Sequence, residues 1–435
     1  MKVLWVCNTL PATVARVLHK TEDNKEGWLD GTLGRMSAEA DVSNTLTLAI
    51  AYPSDPSGTN QAGNGTEVSL NDMFKVNLYG YSDDRIRPEI YNCMLEGEFE
   101  RIINDFDPDI IHVFGTEYGH NLAVSRVRDR LKTEAGKPAL LIGLQGIISE
   151  CAKEYTAGMP QKAVESKTLR DVLRDDNVAR QLEKFAKRGE FEKEAVTYAT
   201  DITGRTSFDR NWSEDHSPNA RYHHMNETLR SKFYSGTWDI TECDRHVIFM
   251  SQGDYPLKGV HNVIVALATL KEKYPDCKLV VAGANITAAD TAMQRLKLSG
   301  YGRYLRQLID RYDLKDHVCF TGPLNADQMK VIFLKCHTYL CASSLENSPN
   351  SMGEAMLLGV PVVASRTGGI PSMIKDDEEG LLYDSIEDMT EAMDKIWSDD
   401  AYATELGAHG MARAKVTHDP DTNYRRLIEI YEEIC

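Results

Sequence analysis

Two glutamates, Glu346 and Glu354, have seven residues between them in the stretch SSLENSPNSMGEAMLLGVPVVAS (343–365). Ser348-Pro349 reads as a helix opening, a capping hydroxyl followed by proline at the first helical position. Ser351 and Glu354 also have the spacing of a capping box. Glu346 lies upstream of that helix, after the apolar run TYLCAS (338–343). This is the carboxyl end of a strand, where open parallel sheets bind ligands. The loop ENSPNS would aim backbone N–H groups and a helix dipole at the same space. Such a place suits a diphosphate, and carboxylates beside it can accept from paired sugar hydroxyls. The chemistry fits a sugar nucleotide.

Those residues need rigid elements to hold them. Short apolar runs alternate with amphipathic stretches along the chain: 2–8, 45–52, 75–81, 109–115, 139–146 and 201–206, then 246–253, 277–284, 317–322, 338–343 and 361–365. Near-continuous apolar strands separated by helical patterns imply parallel sheets covered on both faces. Two series imply two doubly wound α/β domains. The break in periodicity at 225–245 puts the seam there, giving domains 1–235 and 236–419. A last helix, 420–435, has an apolar face that must dock, and we assign it back to the first domain. The segment 162–194 is charged, with Leu169, Val172, Leu173, Val178, Leu182 and Phe185 at helical spacing. It reads as an amphipathic layer.

The totals agree with a two-domain chain. At 435 residues it exceeds one core. Its 66 acidic against 49 basic residues give a net charge of -17, which argues against nucleic-acid binding and against electrostatic docking of the whole molecule to an anionic membrane. Nine cysteines without CxxC spacing read as reduced, mostly buried thiols of a cytoplasmic protein. MKVLWVCN is too short for a signal segment, and no apolar run approaches the ~20 residues of a membrane span.

The stretch ENSPNSMGEAMLLGVPVVASRTGGIPSMI resembles the E-x7-E signature of retaining glycosyltransferases of family 4, which have the two-domain GT-B fold. HVIFMSQGDYPLKGVHNVIVALATLKEKYPDCKLVVAG and HVCFTGPL are similar in order and spacing. The resemblance implies two Rossmann-like domains facing a central cleft. It implies that Glu354 holds the ribose hydroxyls, and that Glu346 with the Ser348, Pro349 and Asn350 backbone holds the donor sugar and phosphates. Lys258 in PLKG matches a lysine that neutralises the leaving diphosphate, which is electrostatic catalysis.

Three positions depart from that pattern. The family has an arginine five residues before the lysine, where this chain has Gly253. Arg205, Arg303 and Arg366 are candidates to supply the charge. Where the family often has a sugar-contacting histidine, this chain has Gln145, which can bond a hydroxyl but does not titrate near neutrality. The family's Gly-Gly loop is matched only by Gly27, with Gly31 further on in NKEGWLDG.

Other motifs carry less. Asp107-Pro108-Asp109 imitates a DxD metal site but reads as a turn before a strand. His112 and His120 flank that strand's end as candidate cleft residues. No GxGxxG or GxSxG follows a strand, and no metal site is expected.

The sequence thus implies a metal-independent, cofactor-free retaining hexosyltransferase. The donor is a UDP- or GDP-linked sugar and the acceptor a glycan or lipid-linked hydroxyl in polysaccharide or glycolipid synthesis. The expected location is cytoplasmic, with peripheral contact at the inner face of the membrane as an alternative setting. A GT-B sugar-nucleotide epimerase and a catalytically silent sugar-nucleotide-binding subunit are the competing readings.

Overall fold

The computed structural model describes residues 1–20, 27–39, 46–54, 65–82, 86–133 and 138–435. The chain forms two compact units. The first comprises Met1–Ser149, Lys184–Arg230 and His418–Cys435; the second comprises Glu150–Glu183 and Ser231–Thr417. Residues 150–183 therefore group with the second unit, whereas the sequence reading had a continuous first domain over 1–235. The reason is local: the Asp171 carboxylate accepts from Gly300 N at 2.8 Å, and the His261 ring bonds the Ala157 carbonyl at 2.9 Å.

Among the described residues, the first unit is built on eight strands: β1 (Lys2–Val6), β2 (Thr47–Ser54), β3 (Thr66–Ser69), β4 (Lys75–Ser82), β5 (Ile110–Phe114), β6 (Ala139–Gly143), β7 (Asp201–Gly204) and β8 (Arg221–His224). Their order is β3-β4-β2-β1-β5-β6-β7-β8. All pairings are parallel except β3 with β4. Alternation along β1 explains the two covered faces. Leu4 and Val6 join one core with Phe99, Val124 and Ile142, while Val3, Trp5 and Cys7 join the other with Leu29, Leu427 and Tyr431. The helix Pro420–Ile434 completes that second face.

A hydrogen-bonded chain fixes this closing helix. Trp5 Nε1 donates to the Tyr431 hydroxyl at 2.8 Å, and that hydroxyl meets His112 Nδ1 at 2.8 Å. Tyrosine has one proton to give, so it donates to a neutral His112. Burial pushes the His112 pKa down to about 3. His112 and His120 are both fully buried, so neither is an open cleft residue. They belong to the core.

The second unit continues with β9 (Val247–Met250), β10 (Lys278–Val281), β11 (Val318–Phe320), β12 (Thr338–Cys341), β13 (Val362–Ser365) and β14 (Leu381–Tyr383). The order is β11-β10-β9-β12-β13-β14, all parallel. The chain runs outward from β9 through β10 to β11, then returns and runs the other way from β12. The strand order therefore reverses between β9 and β12. Ligands in open α/β sheets bind outside the carboxyl ends at such a point.

Candidate active site

Lys258 follows β9 and Glu346 follows β12, so the two side chains flank the reversal. Their charged ends form an ion pair, with side-chain exposures of 17% and 19%. Burial alone would depress the Lys258 ammonium. The neighbouring Glu346 charge overrides it and holds the pKa well above the ordinary lysine value. The Tyr255 ring lies 5.6 Å from Lys258 Nζ and adds a cation–π contact. Ser343 Oγ donates to Glu346 Oε1 at 2.8 Å.

Close backbone approach sets this geometry. Ser344 N donates to the Leu257 carbonyl at 2.8 Å, tying the PLKG turn to the loop after β12. Gly259 has φ +72, and a Cβ there would lie 2.0 Å from the Ala342 carbonyl oxygen. Gly368, at φ +53, faces the Glu346 carbonyl oxygen just as closely, at 2.1 Å from an added Cβ, and Gly369 N donates to that oxygen at 2.9 Å. Both glycines are required by contact and by φ. They hold the backbones on either side of the ion pair.

The helix after the loop starts one residue later than its sequence suggests. It spans Asn350–Leu357 with Pro349 at the N-cap, whose ring offers no capping group. The capping box expected of Ser351 and Glu354 does not form. Ser351 is inside the first turn, and its hydroxyl meets Ser251 Oγ at 2.9 Å and the Tyr339 hydroxyl at 2.7 Å. That triad joins the end of β9 to the start of the helix. Asn347, Ser348 and Glu354 are all buried, Glu354 at 3% exposure. Lys258, Glu346 and the helix opening are thus gathered at one place.

Gly253 sits in packed apolar surroundings. An added Cβ would meet Val281 Cγ1 at 2.5 Å and Val260 Cγ2 at 2.6 Å. The Val281 and Val260 side chains crowd out the arginine that the resemblance led us to expect. Two proposed substitutes are neutralised elsewhere: Arg205 pairs with Glu227 at 2.9 Å, and Arg366 pairs with Asp376 and Asp384. Arg303 bonds Ser166 and the Lys167 carbonyl.

In the first unit, Gln145 and Arg205 are brought together by a residue the sequence did not single out. Glu227, buried at 2%, accepts from Gln145 Nε2 at 2.5 Å through one oxygen and from Arg205 through the other. All three lie at the carboxyl ends of β6, β7 and β8. No motif marks Glu227, because its partners are distant in sequence. Gly27 is the first residue of the helix Gly27–Glu39. The preceding Asn24, Lys25 and Glu26 of the expected turn lie outside the described residues. An added Cβ at Gly31 would meet the Leu229 and Thr228 carbonyl oxygens at 2.7 and 2.8 Å, so Gly31 serves packing.

Comparison with known proteins decides the fold. Residues 238–413 match the family model of group 1 glycosyl transferases. Sucrose-phosphate synthase from Thermosynechococcus elongatus superposes over 100% of this chain and 99% of its own, with a TM-score of 0.67 and 13% identity. The fold is GT-B. Anabaena HepE in complex with UDP-glucose gives a TM-score of 0.64 at 15% identity, covering 100% of both chains. A GDP-mannose-dependent alpha-(1-6)-phosphatidylinositol monomannoside mannosyltransferase of Mycobacterium tuberculosis is 26% identical over 164 residues, 36% of this chain and 39% of that one. The chain spans about half the length, or less, of the curated relatives it matches. Among the described residues, no helix is long and apolar enough to cross a membrane.

Proposed function

We propose that this GT-B protein is a glycosyltransferase that moves a hexose-type sugar from a UDP- or GDP-linked donor to a hydroxyl acceptor with retained configuration. The observation that carries the reading is the Lys258–Glu346 pair at the strand-order reversal, beside the opening of the helix Asn350–Leu357. A diphosphate there would meet the ammonium and the helix N–H groups together. Taking over Lys258, it would release Glu346 to bond hydroxyls of the donor sugar. Glu354 and the Ser348–Asn350 segment would hold ribose and phosphate.

Lys258 stabilises the departing diphosphate by charge already in place, so the reaction proceeds without a metal. The leaving phosphate oxygens then help deprotonate the acceptor hydroxyl on the same face of the sugar. Polysaccharide or glycolipid synthesis at the cytoplasmic side is the setting we favour. Support comes from the lipid-linked acceptor named for the mycobacterial relative and the UDP-sugar in the HepE complex.

The experiment is a thermal-shift screen against UDP-, GDP- and ADP-sugars, followed by product analysis with the stabilising donor and EDTA present. A ligand at 100 times its dissociation constant stabilises by about 2.7 kcal/mol. Retained anomeric configuration in a transferred sugar supports the proposal. An epimerised sugar nucleotide formed without acceptor, or turnover that EDTA abolishes and added metal restores, overturns it.

A further inference from the structure

The second unit displays apolar side chains where water-facing helices ordinarily carry polar ones. On the helix Leu169–Arg174, Leu169, Val172 and Leu173 are 59%, 65% and 78% exposed. The helix Ala292–Lys297 packs beside it and exposes Met293 and Leu296 at 61% and 54%. The amphipathic layer expected from the sequence thus turns part of its apolar set outward. A cluster of this kind marks an interaction surface more than a stray leucine does.

The platform beneath is firmly built. Thr168 and Asp171 cap the first helix reciprocally, and Thr291 and Gln294 cap the second in the same way. The buried Asp171 also accepts from Gly300 N at 2.8 Å, at the start of the helix Gly300–Arg311, whose Arg303 reaches back to Ser166 and the Lys167 carbonyl. The exposed residues are therefore presented by tied helices.

Charge around the cluster runs against the molecule's balance. The net charge is -17, yet Asp290–Arg311 carries Arg295, Lys297, Arg303, Arg306 and Arg311 against Asp290 and Asp310, both of which lie near Arg306. Lys167, Arg174, Arg295 and Lys297 are exposed on or beside the two helices. Of the nearby acids, Asp175 pairs with Arg180 and Asp176 with Arg170, while exposed Glu165 accepts from Gln161.

From the exposed leucines and the flanking cations, we infer that this face docks on an anionic lipid surface. The apolar side chains enter the headgroup boundary while lysine and arginine meet lipid phosphates, the two contributions that interfacial helices combine. The inference stands independently of the transfer reaction, because it involves neither Lys258 nor Glu346.

Flotation of the full chain with vesicles tests it. Phosphatidylcholine vesicles containing phosphatidylglycerol should bind the protein, and pure phosphatidylcholine vesicles should bind it on the order of tenfold more weakly. The L173D/L296D variant should lose binding, and K297E should weaken it, with thermal unfolding unchanged in both. Absence of wild-type binding to anionic vesicles, or equal binding by L173D/L296D, overturns the proposal. So does a wild-type dimer in light scattering that L173D/L296D converts to monomer, since a second copy would then be the occupant.

Discussion

Lys258 and Glu346 form an ion pair across the point where the second sheet reverses its strand order, each presented by a loop that a glycine holds against its neighbour. Removing either partner leaves the other charge in a poorly hydrated place. Lys258→Ala and Glu346→Ala should each lower kcat/KM by roughly 10²–10³-fold, the scale of a lost electrostatic stabiliser. The double variant should fall well short of the product of the single losses, because the pair acts as a unit. Steady-state kinetics of the four proteins check this, and full activity in either single variant removes Lys258 and Glu346 from the site.

Placing at position 253 the arginine that the resemblance leads one to expect should harm this protein. The first side-chain carbon would already collide with Val281 and Val260. Gly253→Arg should destabilise the chain by about 1–3 kcal/mol through overpacking, with no gain in activity. Urea unfolding and an activity assay measure both.

The Tyr431 hydroxyl serves two buried partners, Trp5 Nε1 and His112 Nδ1. Tyr431→Phe keeps the ring and leaves those groups without it, so stability should drop by about 1–3 kcal/mol. The loss should register in the unfolding of the first unit, read from Trp5 fluorescence.

Glu192 is fully buried. Burial pushes its pKa up to about 7, although the Thr116 hydroxyl and the Ile148 and Ser149 N–H groups favour the charged form. The folded chain then keeps a proton at this site that the unfolded chain releases near the ordinary glutamate value of 4.5. Stability from this group is complete below that value and declines as pH rises to about 7, by roughly 3 kcal/mol in all. Unfolding free energy measured from pH 4 to 8 should show this decline in wild type, and Glu192→Gln should flatten it.

Central strands were legible in the sequence; of the four edge strands only β11, in HVCFTG, was. β1, β2, β5, β6, β9, β12 and β13 are buried on both faces, so each had to be a continuous apolar run. β3, β8 and β14 were overlooked. Each lies at a sheet edge; β3 (TEVS) and β8 (RYHH) have one covered residue apiece, and β14 has only three residues. The loop after β12 could be read because glycines, proline and charged groups fall within one short segment. Glu227 could not, since its bonds to Gln145 and Arg205 span 82 and 22 positions. Nor could the placement of 150–183, which depends on contacts such as Asp171 with Gly300.

The docking of Leu427, Ile430 and Tyr431 against the face that holds Trp5 has a consequence for biosynthesis. A ribosome delivers β8, the last strand of the first sheet, about 200 residues before Tyr431, so one face of that sheet waits for its closing helix while those residues are added. Until then the places that Leu427, Ile430 and Tyr431 fill beside Trp5 and Leu29 stay open, a natural target for chaperones that hold apolar surface.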